Sequence, residues 1–440
     1  MTRRQLLAAL SGLPLTNSLA RDVSPVSCWE PTTGGSCNGW LQAGKCPPIT
    51  LPSSAPPWIR PAPPDMARRP LASKCEDPYW ARLSRAYRLW QALPTTDKRG
   101  PCWQRAVHAN ACNLLDVHST WVFLPWHRAF IYFHERTLER LLHNAGDLAP
   151  FRLPAWDWEN NPAVPLAYES SPTHPESCTH RCHDLSKPVC CHVDQLSHDS
   201  LAAWRGADFA GWQNVPPTSS GSAHLKVHTT VSAVMGNFDN SALDPLFYSH
   251  HANVDRFFED WKCLYQPCWK KLISPDNTAW LNHSFVLFDE NQQAQSVQIR
   301  QLLDTAPLGY DYVLPTGIPK AVNVKALEPS DLTALVPTQN QRILLQIRLT
   351  GLRLDPGLYQ LKLATRSGPA RDVGSFGVSS AHHHQSADIN EQFVVSQDLA
   401  RESLNGKLMI SPTNQPDEHF AVKDTNLVKA FQLIRLESVP

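Results

Sequence analysis

Seven of the chain's nineteen histidines fall into two groups whose spacing suits a bound metal. The first group is His108, His118 and His127; the second is His224, His228 and the adjacent pair His250-His251. His224 and His228 are four apart, so on a helix both imidazoles project from one face and can share one ion. A separate segment supplies the third histidine of that group. It is followed by Asn253 and Asp255, residue types that orient a ligating imidazole through its other ring nitrogen. In the first group His118 and His127 are nine apart and cannot share one face of a continuous helix. Pro125 resolves this, because His118 can lie in a preceding loop while His127 starts a helix. Three neutral imidazoles suit copper or zinc. Trp121, Phe123, Trp126, Phe130, Tyr132 and Phe133 surround His127 in sequence and would wall such a site against water. Any one of these histidines reads equally well as a core residue of an aromatic-rich fold. Two triads together are much harder to explain in that way.

Cys112 lies between two of these histidines in "AVHANACNLLDVH", and from spacing alone it is a disulfide half, a metal ligand or something else. Residues 174–198 hold a further four cysteines and five histidines. Disulfides stapling an insertion are the favoured reading there, with a zinc-like or copper-acquiring site as the alternative. Cys263 and Cys268 are placed for a local bridge. The triplet His382-His383-His384 sits in a polar stretch and reads as solvated or lid-associated rather than as a metal site.

Helices must position the two histidine groups. "YWARLSRAYRLWQAL", residues 79–93, repeats apolar residues at helical spacing and stops at Pro94. A second helix is expected from about Pro125 through "WHRAFIYFHERTLERLLH", a third over "AHLKVHTTVSAVM", and a fourth after Asp244-Pro245. Beyond about residue 272 the pattern changes to short apolar or alternating runs with Asp-Glu-Asn and Asp-Pro-Gly turns. Residues 341–440 read as a separate β-rich, sandwich-like domain, and 315–340, with several prolines and no clear period, as a linker. The fold class expected is a mainly α domain followed by that β domain.

Composition bounds the rest. The 440 residues carry 40 basic and 40 acidic side chains, a net charge of zero, which gives no field to draw nucleic acid or anionic lipid. Twelve cysteines point to an oxidising compartment. Residues 1–27 begin "MTRRQLLAALSGLPL", a paired arginine before a short apolar stretch, which fits a twin-arginine export leader. No other stretch approaches the roughly 18 apolar residues of a membrane span. Cys28, Cys37 and Cys46, among prolines and glycines, describe an extended arm held by disulfides.

"VHSTWVFLPWHRAFIYFHERTL" and "MGNFDNSALDPLFYSHHANVDRFFEDW" resemble the copper A and copper B signatures of type-3 copper proteins, closest to the plant-type polyphenol oxidases (catechol oxidase and tyrosinase). "PAWDWENNP", "WLNHSFVLFDENQQ" with "LGYDY", and "GSFGVSSAHHH" resemble further pieces of that family, the last from its C-terminal shielding domain. The likeness is firm over residues 75–315 and looser elsewhere. It implies a helical bundle holding a dicopper centre over 28–314, with copper A on His108, His118 and His127 and copper B on His224, His228 and His251. His250 becomes a neighbour of the site. Phe238 resembles the family's gate over copper A. Ser220 stands where many members place a water-holding glutamate, and Leu225 where an asparagine often accompanies monophenol hydroxylation. Both departures favour diphenols as substrate.

Cys112 matches the family's cysteine that forms a thioether with the second copper A histidine, here His118. With that bond made, eleven cysteines remain, so at least one other thiol stays free or pairs between chains. The family's N-terminal disulfide pattern is not cleanly reproduced in Cys28, Cys37, Cys46, Cys75 and Cys102. The activity implied is oxidation of o-diphenols to o-quinones with reduction of dioxygen to water, latent until the C-terminal domain is displaced, with a processing protease as a partner. A hemocyanin-like oxygen binder is the alternative. The compartment implied is the thylakoid lumen if a transit peptide precedes the leader, and otherwise the periplasm or outside the cell.

Overall fold

The computed structural model describes residues 46–62, 66–113, 117–119, 122–168, 185, 198–206, 223–231, 234–237, 239–266, 269, 278–336, 338–355, 357–364, 369–378, 387–412 and 420–439. The expected leader, Cys28, Cys37, Phe238, Ser220, the four cysteines and all but His198 of the histidines of 174–198, and the His382–His384 triplet lie outside these residues; His198 opens a helix.

Among the described residues, α1 (Asp77–Gln91) buries Leu83, Ala86, Tyr87 and Trp90, a stripe at helical spacing. A proline opens its first turn, where a missing N–H costs nothing. It is followed by α2 (Pro101–Asn113), α3 (Phe123–Asn144), α4 (His198–Gly206), α5 (Ala223–Val231) and α6 (Pro245–Leu264). The sequence expectation omitted α2 and α4, whose apolar residues make weak stripes. It ran α5 on to Met235, but the helix ends at Val231 and residues 234–236 turn. Asp244 caps α6 by accepting from the Leu246 amide at 2.9 Å, beside Pro245 at the first position. Almost every residue of α3 and α6 is buried, so these two form the centre of the helical part.

A hairpin of β2 (Ser284–Phe288) and β3 (Ala294–Gln298) covers one side, after the short α7 (Thr278–Asn282). The N-terminal arm returns through β1 (Ala67–Arg69), which pairs in parallel with β4 (Tyr310–Tyr312). A disulfide between Cys46 and Cys102 ties the arm to α2. Cys75 and Cys263 are free thiols, Cys263 exposed in the last turn of α6; Cys268, its expected partner, lies outside the described residues.

The C-terminal part is a sandwich of two four-stranded antiparallel sheets. One is β11-β10-β7-β8, with β7 at Gly357–Ala364, β8 at Arg371–Val378, β10 at Lys407–Pro412 and β11 at Phe420–Ala421. The other is β5-β12-β6-β9, with β5 at Lys320–Leu327, β6 at Gln341–Leu352, β9 at Ala387–Val395 and β12 at Leu427–Glu437. Alternate residues of β6, Ile343, Leu345, Ile347 and Leu349, enter the core with Phe376, Phe393 and Leu408. A helix, α9 (Gln397–Asn405), closes one end, capped by Ser396. The expected linker is not unstructured: β5 pairs with β12, and α8 (Pro329–Ala334) follows it. Prolines 315, 319, 329 and 337 frame β5 and hid its alternation.

The sandwich rests on two helices of the first part. α4 packs Ala202 against Ala321 and Ile434, and Asp199 pairs with Arg342 at 3.2 Å. α5 meets β8, where the buried Lys226 Nζ donates to Ser375 Oγ at 2.8 Å. A side chain at Gly377 would meet Thr229 and Leu225 within about 3 Å, so the glycine permits this approach. No described helix is long and apolar enough to cross a membrane.

Candidate metal centre

Five separate pieces of chain deliver the histidines. α2 brings His108, a 3-10 turn at Val117–Ser119 brings His118, and α3 brings His127. α5 brings His224 and His228, and α6 brings His250 and His251. The ligand atoms of His108, His118 and His127 lie within 4.8 Å of one another, and the same holds for His224, His228, His250 and His251. The two groups face each other, with the rings of His127 and His251 stacked at 4.2 Å and those of His118 and His224 at 6.1 Å.

Backbone carbonyls set the orientation of two rings. His127 Nδ1 donates to Phe123 O and His228 Nδ1 to Met235 O, each at 2.9 Å. A ring that donates from Nδ1 keeps its lone pair on Nε2, the form a metal needs. His127 Nε2 and both ring nitrogens of His224 are buried without a hydrogen-bond partner. Such groups are costly to leave unpaired, so the residues fit a bound cation. Burial, and then the neighbouring imidazoles, holds His118, His127, His224, His250 and His251 well below the usual histidine range. Burial lowers His228 to about 4. These six imidazoles are therefore neutral at pH 7, as metal binding requires.

The walls differ in part from expectation. Phe123, Trp126 and Phe130 do stand against the histidines. Tyr132 and Phe133 instead pack on Trp58, on the far side of α3, and Trp121 lies outside the described residues. Phe247 was not foreseen; its ring centre is 4.8 Å from that of His108 and 4.2 Å from that of His251. Its place four residues before His251 on a helix was the available signal.

Asn253 and Asp255 do not orient imidazoles. Asp255 accepts from Arg128 at 2.6 Å, Tyr310 at 2.8 Å and Tyr312 at 2.9 Å. Asn253 donates to Glu159 at 2.8 Å, and Glu159 pairs with Arg256 at 2.5 Å. These buried charges fasten α6 to α3, to β4 and to the 154–162 stretch, while backbone carbonyls do the orienting. Leu225 is buried and lies against Gly377 of β8. Cys112 Sγ is 3.8 Å from His118 Nε2 and 3.7 Å from His108 Nδ1, and burial pushes its thiol well up.

The common central domain of tyrosinase matches residues 88–192 and 192–264, and the polyphenol oxidase middle domain matches 275–320. The chain belongs to the tyrosinase and polyphenol oxidase family. It is 30% identical over 380 residues to the chloroplastic polyphenol oxidase of Vitis vinifera, covering 73% of this chain and 60% of the relative. The chain spans about 60% of the length of the curated relatives it matches. Latent apple tyrosinase shares the fold at 21% identity and a TM-score of 0.57, covering 88% of this chain and all of that one. A functional unit of octopus hemocyanin shares it at 17% identity and a TM-score of 0.52, covering 84% of this chain and all of that one. The family's cofactor is a type-3 pair of copper ions, and the two histidine groups suit it. The protein is thus a copper protein of this family, with a helical core and a C-terminal β domain.

Proposed function

We propose that the chain oxidises o-diphenols to o-quinones, two diphenols per dioxygen, with release of two waters. The observation that supports this most is the convergence of two opposed histidine groups, all but the half-buried His118 buried, whose ligand atoms lie within 4.8 Å in each group. In this reading His108, His118 and His127 hold copper A, and His224, His228 and His251 hold copper B. The copper pair supplies two one-electron redox centres, which side chains lack. The protein's own part is to fix the imidazoles and to exclude water. Two carbonyl-anchored rings do the first, and Phe123, Trp126, Phe130 and Phe247 do the second.

The catechol is preferred over a monophenol because Ser220 and Leu225 offer no carboxylate or amide to help remove a phenolic proton. Phe238 is assigned as the gate over copper A. Residues 28–314 form the catalytic unit and the sandwich its cover, so that docking of the sandwich on α4 and α5 keeps the enzyme latent until it is displaced or cleaved away. A plastid compartment follows from the chloroplastic relatives, with export as the alternative for the leader.

Oxygen uptake with dopamine and with tyramine, side by side, tests the proposal on copper-loaded protein before and after removal of the sandwich from about residue 315 onward. Dopamine should be consumed faster, with o-quinone formed and with a gain on trimming. Uptake with neither phenol would overturn the enzyme reading. Reversible oxygen binding without quinone would establish the oxygen-carrier alternative instead.

A further inference from the structure

The second histidine group contains four imidazoles within ligand distance of one another, one more than the three assigned to copper B. His250 and His251 are adjacent on α6, and both are fully buried. Proximity alone does not say which of the pair binds the metal. Hydrogen bonding does. The indole N–H of Trp158 donates to His250 Nδ1 at 3.1 Å. An indole nitrogen can only donate, so Nδ1 of His250 must carry the lone pair. In a neutral imidazole the proton then sits on Nε2. Among the described residues that atom has no hydrogen-bond partner. His127 and His228 are arranged the opposite way, with Nδ1 protonated on a carbonyl.

We propose that Trp158 fixes His250 as its Nε2–H tautomer, which withholds this ring from the metal. Both are positioning residues, and the proposal rests on the copper reading of the second group. Trp158 is itself fixed, stacked on Phe257 at 5.5 Å and set edge-on to Trp204 at 6.4 Å. Its N–H is therefore presented at a constant place. The bond ties α6 to the 154–162 stretch.

The test uses the full chain and two readouts. In metal-free protein labelled with 15N-histidine, the ring nitrogens of His250, assigned by their loss in His250→Gln, should show a protonated Nε2 and a bare Nδ1. Trp158→Phe keeps the stacking and removes the donor, so the ring should shift toward the Nδ1–H form. In copper titrations His250→Gln should still bind two ions per chain, whereas His251→Gln should bind one. Loss of one copper in His250→Gln, or a bare Nε2 on His250 in the wild type, overturns the proposal. An unchanged tautomer in Trp158→Phe overturns the role of Trp158. If His250→Gln fails to fold, comparison of the wild-type and Trp158→Phe spectra decides. A wild-type chain that binds no copper pair overturns the copper reading, and the tautomer measurement still stands or falls by itself.

Discussion

Acidifying the metal-free protein should destabilise it well before its carboxylates are protonated. His228 titrates at about 4 in the folded chain against 6.5 for an ordinary histidine, because its burial penalises the charged ring. Its folded value is depressed, so between these two pH values the unfolded chain binds the extra proton and stability falls as pH falls. The contribution is fully present above 6.5 and exhausted below about 4. A depression of about 2.5 pH units at about 1.4 kcal/mol each gives a loss of about 3 kcal/mol from this residue alone. His118, His127, His224, His250 and His251 are lowered in the same direction and add to it. Asp97, Asp147 and Asp331 are held below 3.8, so their losses fall outside the window. Urea unfolding of the full chain, stripped of metal, at steps between about pH 7 and pH 4 measures the slope. Copper should move the loss to lower pH, because protons must then compete with the metal for the same lone pairs. Stability that stays level from about pH 6.5 to pH 4 in the metal-free protein would refute this account of the buried cluster.

Three further outcomes are expected. Gly206→Ala would place a methyl 1.9 Å from the Ala321 carbonyl oxygen, at the seam between α4 and β5. A loss of about 1–3 kcal/mol should appear as a lower Tm. Arg128→Met removes the cation shared by the buried Asp255 and the half-buried Glu259, with Arg69 and Lys262 still beside them. A cost of about 3–5 kcal/mol in chemical unfolding is expected, and a cost below about 1 kcal/mol would show the pair to be solvated. If Cys112 and His118 are joined by a thioether, the thiol hydrogen and one ring hydrogen are lost. The fully reduced chain should then weigh two hydrogens less than its sequence, and Cys112→Ser should restore the sequence mass. An intact mass equal to that of the sequence would exclude the bond.

The two histidine groups were legible because a metal site needs fixed residue types at fixed spacing, and the pair His224/His228 states its own geometry on any helix. The sandwich was legible from the alternation in β6. α2 was not legible because "PCWQRAVHANACN" mixes small, polar and aromatic residues, and its buried face is Cys102, Gln104, Val107, His108 and Ala111 rather than an apolar stripe. β5 was hidden by its flanking prolines and belongs to the sheet only because β12, more than 100 residues later, supplies its partner. The misassignment of Asp255 has the same origin. A carboxylate four residues after a ligand is a sensible partner locally, but Arg128, Tyr310 and Tyr312 claim it from distant segments. Spacing along one helix reports what a residue can reach within that helix. It does not report which stronger partners the rest of the fold brings.

The nine residues of α5 stand between two unlike neighbours. One side presents His224 and His228 to the metal centre, while Leu225, Lys226 and Thr229 hold β8 of the sandwich. Whatever free energy docking of the sandwich contributes to the placement of this helix must appear equally in copper affinity, and copper must change the docking by the same factor. Delivery of the metal and retention of the cover are therefore one equilibrium seen from two sides. A chain charged with copper and a chain stripped of it will part from their sandwiches at different cost.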